Sequence, residues 1–229
     1  MEFLQLLKKI YTIPNIIFTI KSLGWSITIA VSALTIGTIL GILAAAARIS
    51  KNKFLKAISS CYVEFIRGTP MLIQILFWYL GFPALAKMIT GSFVNLNAYV
   101  IGIVAIGINS GAYSCELFRS AIMAVDKGQW EASKTLGLSY SQMMRFIILP
   151  QAFKRLVAPM VNEFVTLIKD SSLISTIGAI ELTKSAQILG VNFYNPLPPL
   201  IVASIIYLIL TITISQIGKK IERKLAESD

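Results

Sequence analysis

The sequence contains no histidine, only two cysteines and few charged residues. Histidine is the commonest general base and a frequent metal ligand, so its absence excludes hydrolases that use Ser–His chemistry or an HExxH metal site. Cys61 and Cys115 form no CxxC pair and have apolar neighbours, which predicts two small buried hydrophobic residues. No P-loop motif (GxxxxGKS or GxxxxGKT) occurs, so the chain has no P-loop nucleotide site of its own. We therefore predict no catalytic residue and no metal site.

What the chain has in quantity is apolar sequence. Hydrophobic residues make up 55% of the 229 residues and charged residues only 14%, against about 25% charged residues in a typical soluble domain. This composition predicts an integral membrane protein whose surroundings are the lipid bilayer. The net charge of +10 is explained by basic residues clustered between membrane spans, so no nucleic-acid partner is predicted.

Five stretches are long enough and apolar enough to cross a bilayer, which requires about 20 residues. Between the first two stretches, apolar residues at helical spacing over 54–66 indicate an interfacial helix. Thr69 is a candidate N-cap and Pro70 a candidate first residue of the second span. The fold class is therefore all-α, one polytopic transmembrane domain over residues 1–229. The five predicted spans are 22–47, 70–88, 96–118, 157–182 (broken near 169–172) and 199–217.

Five spans place the two termini on opposite sides of the membrane, and basic residues predict which side is which. With the N-terminus outside, fourteen Lys and Arg residues lie in the inner segments and five in the outer ones. Because cytoplasmic loops are enriched in Lys and Arg, we predict an outside N-terminus and a cytoplasmic C-terminus. The same assignment places the polar segment 126–151 in the cytoplasm.

Segment 126–151 has the start and stop signals of two short helices. Asp126 with Gln129, and Ser139 with Gln142, form capping-box patterns. Gly137 is suited to the left-handed residue that ends the first helix, and the second helix would end before Pro150. From these residues alone, the hairpin could be an amphipathic element on the lipid surface or a docking element for another protein.

The spacing inside this hairpin resembles a known family. Glu131-Ala132-Ser133 is followed after three residues by Gly137, after nine more by Ile147, and then by Leu149-Pro150. This resembles the EAA loop of permease subunits of ATP-binding-cassette (ABC) importers, with serine where the third residue is often alanine. In that family the loop is a coupling helix that docks into the cytoplasmic ATPase subunit. The resemblance implies that the coupling residues are Trp130, Glu131, Ala132, Ser133, Gly137, Leu149 and Pro150.

Three further segments resemble the polar amino acid branch of these permeases: RGTPMLIQILFWYLG (67–81), INSGAYSCELFRSAI (108–122) and LIKDSSLISTIGAIELT (167–183). That branch imports histidine, glutamine, glutamate, arginine, cystine or opines. The resemblance implies alternating-access import of polar or charged L-amino acids across the bacterial cytoplasmic (inner) membrane. It also implies that the chain is not itself an enzyme.

The partners expected from this resemblance supply what the chain lacks. Two copies of an ATP-binding-cassette subunit would hold ATP and Mg, so no cofactor is expected on this chain. A second permease subunit would complete the path, with a homodimer preferred and a heterodimer left open. A periplasmic or lipid-anchored binding protein would deliver the amino acid.

Polar residues inside the predicted spans are the candidate substrate ligands, because burying them in a membrane is costly. Glu163 is the leading candidate, since its neighbours are apolar and no basic residue lies three or four positions away. Glu163 or Asp170 would hold a cationic group, and a helix N-terminus near Ser171 and Ser172 would hold a carboxylate. Glu116 is expected to pair with Arg119. The complete candidate set is Glu163, Asn162, Asp170, Ser171, Ser172, Asn109, Ser110 and Arg67.

Two other classes of function compete with this interpretation. A channel or carrier that works without ATP could carry a surface amphipathic hairpin, but it would not need the EAA pattern. A membrane-embedded enzyme would need a nucleophile with a base, and the sequence shows no such pair.

Overall fold

The computed structural model describes residues 2–92 and 94–226, and within these ranges the chain is helical and contains no strand. A π-helical turn, Phe77–Gly81, joins α4 to α5, and a second, Met144–Ile148, joins α8 to α9. A 3-10 helix, Ser171–Ile177, continues α9. The α-helices are α1 Glu2–Ile10, α2 Ile13–Ile49, α3 Lys53–Gly68, α4 Met71–Leu76, α5 Phe82–Thr90, α6 Ala98–Met123, α7 Lys127–Thr135, α8 Tyr140–Met143, α9 Leu149–Asp170, α10 Leu182–Asn192 and α11 Leu197–Ala226.

Four helices of the described chain are long and apolar enough to cross a membrane: Ile13–Ile49, Met71–Thr90, Ala98–Met123 and Leu197–Leu225. They overlap four of the five predicted spans. The remaining predicted span, 157–182, is divided between α9, the 3-10 helix and the loop before α10. α9 packs against α2, α6 and α11, and its buried residues are Ala152, Leu156, Leu167 and Ile168.

The first apolar helix is longer than its predicted span. α2 begins at Ile13, nine residues before the predicted start, and Pro14 occupies its first turn. Proline is tolerated there because its missing N–H has no partner in the first turn. Lys21, inside this helix, can extend its ammonium group along the surface toward water.

Small residues allow α2 and α6 to approach closely, and the two helices run parallel. A Cβ added to Gly37 would lie 2.5 Å from Ser110 Oγ, and one added to Gly41 would lie 2.5 Å from Ser114 Cβ. Such close contacts between backbones are the usual means of helix association in membranes. α9 then packs on the same part of α6, which brings Glu163 to Ser110.

Candidate functional site

Glu163 on α9 and Ser110 on α6 form the polar contact at the centre of the candidate site. The Ser110 hydroxyl donates a hydrogen bond of 2.8 Å to Glu163 Oε1. Ser110 is fully buried, whereas Glu163 is half-buried. Glu163 forms no ion pair with any described residue. The structure therefore holds one carboxylate oxygen in place and provides no protein cation for the charge.

A positively charged side chain, Arg67 of α3, contacts α6 one helical turn beyond Ser110. The Arg67 guanidinium stands over the Tyr113 ring, 5.1 Å from its centroid, and both side chains are exposed within this chain. Tyr113 follows Ser110 by three residues, a rise of about 4.5 Å on an α-helix. The geometry thus anchors one anion, Glu163, and one cation, Arg67, to neighbouring positions of the same helix.

Asn109 has a different environment from Ser110. Its Nδ2 donates to Gln74 Oε1 at 3.0 Å, and Gln74 Nε2 donates to Ile66 O at 2.8 Å and to Thr69 Oγ1 at 2.8 Å. Because Ile66 and Thr69 lie at the end of α3, this buried amide pair bridges the break between α3 and α4. Asn109 is therefore connected to this break through Gln74, a residue that the sequence analysis did not single out.

The start of the second apolar helix differs from the prediction. Thr69 is not an N-cap: its hydroxyl donates back to Phe65 O at 3.0 Å. The helix begins at Met71, and Pro70 is its N-cap residue. A threonine hydroxyl can bond the carbonyl four residues earlier, and here that carbonyl belongs to the end of α3.

The predicted free helix N-terminus near Ser171 and Ser172 is wrong. The 3-10 helix continues α9 directly, the Ser171 amide bonds to Leu167 O, and the Ser171 hydroxyl donates to Ile168 O at 2.7 Å. The amides that would have received an anion are therefore part of a continuous helical turn. Asp170 is half-buried at the end of α9, and Ser172 is half-buried just after it.

Asp170 and Asn162 extend the polar surface of α9. Asp170 lies seven residues after Glu163, about 10 Å along the axis and on the same face of the helix. Asn162 is exposed beside Glu163. Two carboxylates therefore lie on one face of α9, two turns apart.

A fully buried carboxylate that the sequence analysis missed lies in the loop before α10. Glu181 accepts hydrogen bonds from Tyr207 Oη at 2.8 Å, Lys184 N at 2.8 Å, Thr183 N at 2.9 Å and Ser26 Oγ at 3.3 Å. These bonds tie α2, α10 and α11 together. Glutamate is not among the residues usual at an N-cap, and Tyr207 lies inside an apolar run, so neither residue gave a sequence signal.

The predicted pair of Glu116 with Arg119 is confirmed and has a third member. Arg119 Nη2 lies 2.9 Å from Glu116 Oε2, and Arg48 at the end of α2 pairs with the other carboxylate oxygen. Because Arg48 and Glu116 are on different helices, the cluster connects the ends of α2 and α6 from which the next segments depart.

The bend of hairpin 126–151 forms as its local signals predict. Gly137 has φ +72°, and its amide bonds to Lys134 O at 2.9 Å while the Leu138 amide bonds to Ser133 O at 3.2 Å. The capping box at Ser139 is present, with the Gln142 side chain accepting from the Ser139 amide. At the first helix, Asp126 caps through Gly128 N at 2.7 Å rather than through a box with Gln129.

The second helix of the hairpin does not end at Pro150. The chain passes through a π-helical turn, Met144–Ile148, into α9, with Pro150 in the first turn of α9. The wider hydrogen-bond spacing of a π turn accommodates a proline that cannot donate. The hairpin is therefore joined by continuous helix to Glu163.

The side chains of the hairpin divide into an inner and an outer set. Trp130 is half-buried and packs on a core that includes Ile122 and Met143. Ser133 is buried, and its hydroxyl donates to Gln129 O at 2.6 Å. The exposed set includes Glu131, Ala132, Leu136, Gly137, Tyr140, Phe146, Leu149 and Pro150.

These features define a class: a helical membrane subunit with charged groups between its helices and an exposed hairpin joined to the charged helix. The chain matches the family described as binding-protein-dependent transport system inner membrane component over residues 37–227, and it belongs to that family. It is a multi-pass permease of the amino acid ABC transporter type, as its motifs indicated, and such a subunit is not itself an enzyme.

Similar proteins support the same assignment along nearly the whole chain. The arginine transport system permease protein ArtQ of Bacillus subtilis (strain 168) is 38% identical over 95% of this chain and 97% of its own length. The L-cystine transport system permease protein TcyB of the same organism is 38% identical over 88% of this chain and 83% of its own length. A solved structure titled as an amino acid ABC transporter with histidines matches with a TM-score of 0.87 and 36% identity, covering 97% of this chain and 98% of that one.

Proposed function

We propose that the chain carries a polar or charged amino acid between Arg67 and Glu163. The observation that supports this is that Arg67 of α3 and Glu163 of α9 contact residues of α6 one helical turn apart and form no ion pair with each other. The planar guanidinium of Arg67 suits a carboxylate, which it can bind with two parallel hydrogen bonds. Glu163, held through one oxygen by Ser110, has its second oxygen for an ammonium group.

The acidic face of α9 favours a substrate with a second positive charge. Glu163 and Asp170 lie on the same face about 10 Å apart, with Asn162 beside the first and Ser172 beside the second. A basic amino acid such as arginine could place its two cationic groups toward these two carboxylates. Relatives named for arginine and for cystine show that this family includes both charged and neutral substrates, so the residues around Glu163 would decide between them.

The assembly proposed for transport contains two permease chains, here a homodimer, two ATPase subunits and a binding protein. The chain would cross the membrane five times, with α9 and the 3-10 helix as the fourth crossing in chain order. The charged face of α9 would then face the second copy. The hairpin 126–151 would dock on the ATPase, which would hold ATP and Mg. Its exposed apolar residues, including Leu136 at 77% and Phe146 at 63% exposure, suit insertion into a partner's cleft.

Reconstitution separates this function from the channel and carrier alternatives. The permease should be placed in liposomes with its ATPase, with ATP inside, and with the binding protein and a radiolabelled amino acid outside. We expect uptake only when ATP and the binding protein are both present. Uptake of equal rate without ATP would identify a channel or an uncoupled carrier instead.

The proposed orientation predicts that the two termini are labelled from opposite sides. Single cysteines should be introduced at Gln5 or at Lys220, both of which are exposed, in a chain from which the two native cysteines have been removed. Of the native cysteines, Cys115 is buried as predicted, whereas Cys61 is exposed, contrary to our prediction. An impermeant maleimide added to intact cells should label the cysteine at position 5 alone. Labelling of both positions from one side would exclude a chain with an odd number of crossings.

A further inference from the structure

A continuous apolar groove runs between α2 and α9 and contains none of the charged residues of the candidate substrate site. Its wider part has a volume of about 930 Å³ and its narrower part about 450 Å³. Both parts share Ile42, Phe118, Phe153 and Leu156. Along α2 the groove extends from Leu34 to Ile49, about 22 Å at 1.5 Å per residue. This length exceeds one leaflet of the hydrocarbon core, about 15 Å or half of the full thickness, so the groove can hold a whole acyl chain.

The wider end of the groove has a polar rim with one positive charge. The polar rim consists of Ser50, Lys51 and Tyr140, and no acidic residue lines either part within the described chain. The Lys51 ammonium makes no ion pair with a described residue. Lys51 lies two residues beyond the end of α2, the position at which a span meets the membrane interface. An unneutralised ammonium at that level attracts anionic headgroups.

We infer that this groove binds an anionic glycerophospholipid, with the phosphate at Lys51 and Tyr140 and an acyl chain along α2 and α9. The apolar lining matches a hydrocarbon chain, and the single rim charge selects a negative headgroup. Because Tyr140 belongs to the hairpin 126–151 and Lys51 to the segment after α2, one bound lipid would connect the two. On the proposed orientation this lipid would lie in the inner leaflet, but the inference that a lipid binds does not depend on that orientation.

Native mass spectrometry can count the lipids that stay with the permease–ATPase complex. The complex should be released from nanodiscs that contain phosphatidylglycerol and phosphatidylcholine in equal amounts. Removal of one lysine near a membrane surface costs about 1 kcal/mol, so Lys51→Gln should lower phosphatidylglycerol retention about fivefold and leave phosphatidylcholine unchanged. Lys56→Gln removes an exposed lysine of the same basic segment outside the groove and should have no effect.

A second variant tests the acyl chain. Ala46 lines the wider part and is exposed, so Ala46→Trp should fill the groove without overpacking the core and should reduce retention of both lipids. Ile42→Phe is the alternative if the tryptophan variant does not assemble. The proposal would be overturned if phosphatidylglycerol retention were unchanged both in Lys51→Gln and in the variant whose groove is filled by Ala46→Trp. So would efficient cross-linking of Ala46→Cys to a second permease copy, because the groove would then be covered by protein.

These measurements are independent of transport. Loss of ATP-dependent uptake with intact phosphatidylglycerol retention would count against the proposed function alone. Normal uptake, with lipid retention unchanged in both Lys51→Gln and Ala46→Trp, would count against the lipid site alone.

Discussion

Gly137→Asp should abolish both amino acid uptake and binding-protein-stimulated ATP hydrolysis while the chain still inserts into the membrane. Gly137 has φ +72° and no neighbouring atom within 4 Å of an added Cβ, so the effect is one of backbone conformation rather than of space. A side chain in the left-handed region costs about 1 kcal/mol or more. Relaxing that strain would open the bend between α7 and α8 and misplace the exposed residues proposed to dock on the ATPase.

Two variants make this result specific to the hairpin. Gly91 also has a positive φ, +73°, with open space around it, so Gly91→Asp imposes the same backbone cost in the loop after α5. We expect that variant to transport normally. Gly137→Asn should retain much of the activity, because asparagine is the non-glycine residue most often found in this left-handed position and, unlike aspartate, adds no charge to the exposed bend. Wild-type uptake and stimulated ATPase rates in Gly137→Asp would refute a docking role for this bend.

The features that were predicted correctly depend on residues close together in the chain. The bend at Gly137, the capping box of Ser139 with Gln142, and the pairing of Glu116 with Arg119 each involve positions within five residues of one another. Their hydrogen bonds follow from local backbone geometry, and the residue types alone indicate them. The four long apolar helices were predicted for a similar reason, since a run of about 20 apolar residues by itself indicates a membrane span.

The contacts that build the candidate site join residues far apart in sequence. Ser110 and Glu163 are 53 positions apart, Gln74 and Asn109 are 35 apart, and Tyr207 and Glu181 are 26 apart. No periodicity relates such residues, so the sequence marked Glu163 as an unusual charge without identifying Ser110 as its donor. The same limitation hid Gln74 and Tyr207, each of which looks like an ordinary residue of an apolar helix.

The helical breaks were misjudged for a different reason. Proline disrupts a helix interior and serine can cap a helix, so Pro150 and Ser171 were expected to mark helix ends. In the structure the packing of α9 on α2, α6 and α11 keeps the chain helical at both places, with a 3-10 turn after Asp170 and a π turn before Leu149. Tertiary packing thus converts a predicted break into a change of helical type, and it removes the free amides once assigned to a substrate carboxylate.

Glu163→Gln should impair transport most strongly for cationic amino acids and leave assembly with the ATPase intact. The glutamine keeps the shape of the side chain and can still accept a hydrogen bond from Ser110. What it loses is the negative charge, which on the proposed site would face the ammonium group of the substrate. A hydrogen bond with a charged partner contributes about 1.5–3 kcal/mol, which corresponds to roughly a 10- to 100-fold loss of apparent affinity.

Comparison of substrates and variants separates binding from general damage. Ser110→Ala removes the neutral donor but keeps the Glu163 charge, and should weaken transport of all substrates by a similar, smaller factor. Asp170→Asn should affect basic amino acids and spare neutral ones, because Asp170 lies about 10 Å from Glu163, within reach only of a long side chain. Uptake in proteoliposomes over a range of arginine and glutamine concentrations measures these differences.

If Glu163→Gln carries both amino acids with unchanged apparent affinity and rate, the carboxylate does not contact the substrate. An idle charge half-buried in a membrane would then have to be stabilised by water or by a neighbouring chain, since no described residue neutralises it.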